Sequence, residues 1–220
     1  MTFATNDCDL HQVRKIVLKS AIIPNTSYNV SSQYNRLYIE HSLGATTSYA
    51  ITPGQYTMAQ FLASLIAVLP AGTTIVQNPI TRKLTFAMAG ATFKLFAFPQ
   101  NPMGRILGIS EDTAAGLSTF DIPGLPNLTG LRHMYVASNA LSNQTVMVTN
   151  NKEKINVFAD FPVTVPFGET QPYEGFDGGM NFSDFGSKKN INSIDIRLLD
   201  EHGNVLELNG HNWVLIFRVW

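Results

Sequence analysis

Five histidines, one cysteine and a scatter of carboxylates are the residues on which this chain could build chemistry. His11, His41, His133, His202 and His211 stand singly, with no His-x-His, His-x-x-x-His or His-Glu-x-x-His spacing that would bring two imidazoles onto one metal. Only Glu201-His202 and Glu207 near His211 place an imidazole beside a carboxylate, and both lie in turn-forming segments. The lone Cys8 leaves zinc without a thiolate cluster and rules out an internal disulfide framework. No Gly-x-Ser-x-Gly elbow is present to hold a nucleophilic serine. Gly175-Phe-Asp-Gly-Gly179 is glycine-rich but has no lysine and no following helix with which to cradle a phosphate. Asp160, Glu169, Glu174, Asp177 and Asp184 could supply the carboxylate pair that glycoside hydrolysis needs, yet they are spaced as in any acidic loop. These residues predict no enzyme, no metal and no cofactor.

The elements that would carry these residues are β-rich. Val13–Ala21 reads as a first long strand, broken by Pro24-Asn25-Thr26. Further strands are expected at 34–41, 48–51, 73–77, 83–88, 92–98, 134–138, 145–148, 154–161 and 190–199. One helix is expected after Thr57-Met-Ala-Gln60, which has the form of a capping box, with Phe61, Leu62, Leu65, Ile66 and Leu69 on one face and Pro70 as its stop. Arg105–Ile109 reads as a short helical turn, and 110–131 and 162–189 as long loops. Near the end, Asn209-Gly210 between apolar runs predicts a hairpin. In the run that follows, Trp213, Leu215, Phe217 and Val219 face one way and Val214 and Ile216 the other. A strand apolar on both faces is expected to be buried between layers.

Many short strands with irregular connections predict an all-β protein, a single jelly-roll sandwich, with a small α+β insertion at about 46–110 that contains the helix. Residues 1–12 read as a polar N-terminal arm ahead of a single domain over 13–220. Charged residues are only 14% of the chain, against about 25% in ordinary soluble domains, so much of the surface is expected to lie against other subunits. Fifteen Lys and Arg balance sixteen Asp and Glu, which excludes an electrostatic footprint for nucleic acid. No apolar run reaches the length of a membrane span, and no signal peptide is read at the start. Phe167, Tyr173, Phe176, Phe182 and Phe185, in the loop at 162–189, are the candidate interface residues, because rigid rings bury much area at small entropic cost.

Three segments carry a family resemblance. Val13-Arg-Lys-Ile-Val-Leu-Lys-Ser-Ala-Ile-Ile-Pro-Asn-Thr-Ser-Tyr-Asn29 is similar to an opening strand and its Pro-Asn-(Thr/Ser)-x-Tyr-Asn turn. Ile51-Thr-Pro-Gly-Gln-Tyr-Thr-Met-Ala-Gln-Phe-Leu62, with Thr81-Arg-Lys-Leu-Thr-Phe86 and Arg105-Ile-Leu-Gly-Ile109, looks like that family's Pro-Gly turn, helix and following strand. Leu198-Leu-Asp-Glu-His-Gly-Asn-Val-Leu-Glu-Leu-Asn-Gly-His-Asn-Trp213 resembles its closing hairpin. Together they resemble the minor capsid (penton) proteins of virophages and Polinton-like viruses; residues 110–190 match nothing in that pattern. The resemblance implies a homopentamer that closes icosahedral vertices among trimeric major capsid protein (hexon) neighbours, located in the virion after assembly in the host cytoplasm. The alternative is a receptor- or glycan-binding β-sandwich module, such as a fibre head or a lectin-like domain, in which the aromatic loop would stack on sugars.

Overall fold

Alternating apolar residues give this chain its strands, and turn residues divide them. The computed structural model describes residues 2–5, 10–42, 44–141, 146–148, 154–175 and 181–220. In chain order the elements begin with β1 (Thr2–Thr5), β2 (Leu10–Pro24), β3 (Arg36–His41) and β4 (Thr46–Ala50). The helix α1 (Met58–Val68) precedes β5 (Thr73–Gln77), β6 (Leu84–Met88), β7 (Phe93–Leu95), the short α2 (Gly104–Leu107) and β8 (Thr119–Asp121). Next come β9 (His133–Ala137), β10 (Val146–Val148), β11 (Lys154–Pro162) and β12 (Thr170–Glu174). The last three are β13 (Phe182–Ile191), β14 (Ile194–Leu199) and β15 (Val214–Val219).

The chain forms two compact units, residues 1–27 with 131–220, and the inserted Tyr28–Gly130. In the first, an antiparallel sheet of order β1-β14-β9-β11-β10 shares one core with a second sheet built on β2. Ile16, Leu18, Ala21 and Ile23 of β2 meet Met134, Val136, Phe158, Phe161 and Leu198 of the first sheet in that core. The fold class is the expected one: an all-β sandwich of the jelly-roll kind carrying a small α+β insertion. β1, within the expected N-terminal arm, pairs along β14 from Thr2↔Arg197 to Thr5↔Ile194.

The inserted unit holds two three-stranded sheets, β4-β3-β7 and β5-β6-β8, which meet at a bridge between Phe93 and Leu117. It runs from 28 to 130 where the sequence suggested about 46–110. It is wider because β3, Val30 and Ile122 belong to its core, and because the Val30 and Gly54 backbones pair through two hydrogen bonds of 3.2 and 3.0 Å. α1 starts as read: the Thr57 N–H donates to Gln60 Oε1 (3.0 Å) and the Gln60 N–H to Thr57 Oγ1 (3.3 Å). Phe61 and Leu65 are fully buried, whereas Ile66 is partly exposed and lies off the core face. Asn29 is the polar tie of this unit. Its amide donates to the carbonyls of Tyr56 (2.8 Å) and Leu128 (3.0 Å), and its Oδ1 accepts from the Tyr56 N–H (2.9 Å).

Two readings need correction. The expected loop at 162–189 contains β12 and most of β13, whose Pro172, Gly186 and charges disguise strands that need only one neighbour. The Asn209-Gly210 turn forms, with both residues at positive φ (50° and 83°) and the His211 N–H closing onto the Leu208 carbonyl (3.0 Å). It does not join two strands of one sheet. Before it, Val205 bridges Leu199 and the Leu206 N–H donates to Leu198, in the first sheet; after it, β15 pairs with β2 in the second. The turn carries the chain from one layer of the sandwich to the other.

Candidate assembly interface

β2 organises the second sheet of the sandwich. Ser20, Ala21 and Ile22 pair with β12 on one side and β15 on the other, while Ile16 and Val17 pair with both β13 and β15. A strand has two edges, so β12 and β13 follow one another along one edge and β15 holds the opposite one. Two irregularities set which side chains face out. The Arg14 and Lys15 N–H groups both donate to the Trp220 carbonyl (2.7 and 3.3 Å), and between Ser20 and Leu18 the register slips by one residue against Ile216 and Phe217. Val13, Ile16, Leu18, Ala21 and Ile23 consequently face the core, although their spacing is not a strict alternation.

The opposite face of this sheet exposes a band of apolar side chains, set among Lys15, Glu174, Asp184 and Arg218. Ile22 lies across from Val214, and their relative exposures are 52% and 49%; Ile216 is at 52% and Trp220 at 47%. Phe182 pairs with Val17 on the same face and is 40% exposed. The Lys15 ammonium sits 4.5 Å from the Phe182 ring centre and 5.9 Å from that of Trp220, and the Arg218 guanidinium 5.8 Å from Trp220. Inward, Trp213, Leu215 and Phe217 pack on the core as expected, with Phe217 against Phe158 at 5.6 Å between ring centres. The expectation that β15 is buried on both sides is therefore corrected: one side is covered, and the other is an apolar surface at an open sheet edge.

The five candidate rings part company. Phe182 lies on the outer face just described. Tyr173 is opposite Ala21 and turns inward, edge-on to Phe161 at 5.0 Å. Phe185 also packs against the core, with the Lys189 ammonium 5.1 Å from its ring. Phe167 is exposed in the turn before β12, and Phe176 lies outside the described residues. Val214, Ile216 and Ile22 were missed as surface residues, since alternation identifies two faces of a strand but not which face lacks a covering layer.

A second group of titratable residues lies on the other sheet. On the first sheet, His133 Nδ1 is 3.1 Å from Asp160 Oδ1, and its ring stacks on Tyr135 at 6.0 Å. Burial, then the charges of Asp160 and Glu201, raises the Tyr135 hydroxyl above the ordinary tyrosine range. Glu201 also lies 3.7 Å from both Arg132 Nε and His202 Nε2. Asp184 accepts from the Gly186 N–H (2.9 Å), and Asp177 is outside the described residues. Among the described residues no group of three or more His, Cys, Asp or Glu is placed to hold a metal ion, and no helix is long and apolar enough to cross a membrane.

No protein-family profile matches the chain, and no curated protein matches it in sequence. Solved structures do. The chain is similar to a mavirus penton protein. The similarity spans 100% of this chain and 92% of that one, with 6% sequence identity and a TM-score of 0.44.

Proposed function

We propose that this chain is a structural capsid protein of the penton type, in which five copies form a ring that closes an icosahedral vertex among major capsid protein trimers. Its place is the virion, and it acts by fitting against protein neighbours rather than by catalysis, cofactor binding or direct contact with nucleic acid. The observation that carries this reading is β15, whose outward Val214 and Ile216, with Trp220 just after the strand, lie open to solvent at a sheet edge. Contiguous exposed apolar surface is uncommon on monomers and marks a contact site. The low charge of the chain and the motif resemblance at 13–29, 51–62 and 198–213 point the same way. Electron microscopy of the purified protein, alone and mixed with major capsid trimers, tests it. Fivefold rings are expected in at least one preparation; particles of monomer size in both contradict the reading.

A further inference from the structure

Beyond the ring reading and independent of it, we propose that the hairpin tip between β5 and β6, residues 78–83, docks on an anionic lipid surface. Ile80 enters the bilayer interface there, and Arg82 and Lys83 meet the headgroups.

The tip is apolar where it protrudes. Ile80 is 89% exposed, the most of any large apolar side chain among the described residues. Pro79 beside it is exposed too, and Val76, on β5 just before the tip, is 60% exposed. The tip is also fixed. Asn78 Oδ1 accepts from the Ile80 and Thr81 N–H groups (both 2.9 Å). The Asn78 N–H donates to the Lys83 carbonyl (2.9 Å), the Arg82 N–H to the Asn78 carbonyl (2.9 Å) and the Gln77 side-chain amide to the Arg82 carbonyl (3.0 Å). An apex closed by its own side chain and backbone presents Ile80 with little left to order on binding.

Charge at the apex is positive. From His41 to Ser110 the chain has no Asp or Glu and four Lys and Arg. Lys94 is engaged by Asp112 (3.2 Å), and Arg105 lies over the rings of Tyr34 and Phe98 (5.8 and 5.3 Å). Arg82 and Lys83 remain, both exposed, and neither is in an ion pair among the described residues. The carboxylate on the strands of this sheet is Asp121, which accepts from the Thr85 hydroxyl (2.5 Å). Thr85 lies two residues, about 7 Å, behind Lys83 along the chain, so both cations are nearer the apex. At the same end of the sheet the Ile122 N–H donates to the Leu84 carbonyl (2.8 Å), and the chain leaving β8 over 122–130 is uncharged, with Leu125 58% exposed.

The shape of the tip selects its partner. A specific protein interface buries about 800 Å² on each side, which a convex six-residue apex does not offer. Nucleic acid would need more phosphate contacts than two cations make. A bilayer asks for no complementary shape. It takes an aliphatic point into its interface and holds neighbouring Lys and Arg, on their long flexible stems, at anionic headgroups.

Co-sedimentation of the full chain with vesicles tests this, using phosphatidylcholine alone and phosphatidylcholine with about three parts in ten of phosphatidylserine. The mixed vesicles are expected to bind the protein, and the neutral ones to bind it far less. Ile80→Ser should weaken binding about tenfold, and Arg82→Gln or Lys83→Gln about fivefold each. Ile216→Ser, on β15, should leave it unchanged. Binding that is absent at millimolar lipid, equal on neutral vesicles or indifferent to Ile80→Ser overturns the proposal. Binding abolished by Ile216→Ser overturns it and assigns the contact to β15. Assembly lost on Ile80→Ser, with vesicle binding intact, overturns it in favour of a protein contact at the tip. A polarity-sensitive dye attached through Ile80→Cys, in a Cys8→Ser background, is the second readout. Its emission should move to the blue on the mixed vesicles; unchanged emission overturns insertion of the tip. Light scattering on the same samples keeps the two readings apart, since a monomer that binds vesicles through Ile80 sustains this inference while the ring reading fails.

Discussion

The two outer faces of the sandwich are made by the same kind of strand and end up chemically opposite. On the β9–β11–β14 side the outward residues include His133, Tyr135, Asp160 and Arg197, joined by a histidine–aspartate contact and ring stacking. On the β2–β15 side they include Ile22, Val214, Ile216, Phe182 and Trp220, with Lys15 and Arg218 beside the rings and Glu174 and Asp184 on the flanking strands. Inner faces must be apolar in any sandwich, so they say little about role. An apolar outer face costs solubility unless a partner covers it, and that asymmetry is what separates an assembly surface from a solvent surface.

The largest expected effect erases the distinction by destroying both layers. Phe161→Ala removes a buried ring that packs on Tyr173 and should lower stability by about 3–5 kcal/mol in urea unfolding, with monomer and assembly lost together. Asn29→Ala, in the inserted unit, leaves the Tyr56 N–H and the Tyr56 and Leu128 carbonyls without their partner, for a loss of about 1–3 kcal/mol by the same measurement. Thr57→Ala removes the capping hydroxyl of α1 and should cost about 1 kcal/mol. Ile216→Asp sharpens the comparison most, because its stability change should stay within about 1 kcal/mol while assembly disappears. On the polar face, Asp160→Asn removes one of the charges that raise the Tyr135 hydroxyl. An ultraviolet titration should then show Tyr135 ionising at lower pH than in the unaltered protein, and assembly should be unchanged.

The sequence disclosed elements better than layers. The capping box at Thr57 and Gln60, the strand at 73–77 and the turn at Asn209-Gly210 are local chemistry, fixed by residues within four positions of each other, and they form where the residues place them. β12 and β13 were hidden because an edge strand tolerates Pro172 and a run of charges that a central strand would not. The crossing at Asn209-Gly210 between sheets was hidden for another reason. Leu206 and Leu208 alternate like any strand, and nothing local tells which sheet receives the next one. The same gap concealed the exposed apolar side of β15. Aromatic loop residues drew the eye, yet Tyr173 turned into the core, while the aliphatic side of β15 stayed open.

The most direct test is the mass in solution of the unaltered protein and of the Ile216→Asp variant, measured side by side by size exclusion with light scattering. The account predicts a species about five times the monomer mass for the first and a folded monomer for the second. A fivefold species that survives Ile216→Asp unchanged would contradict the claim that the open face of β15 is what holds the assembly together.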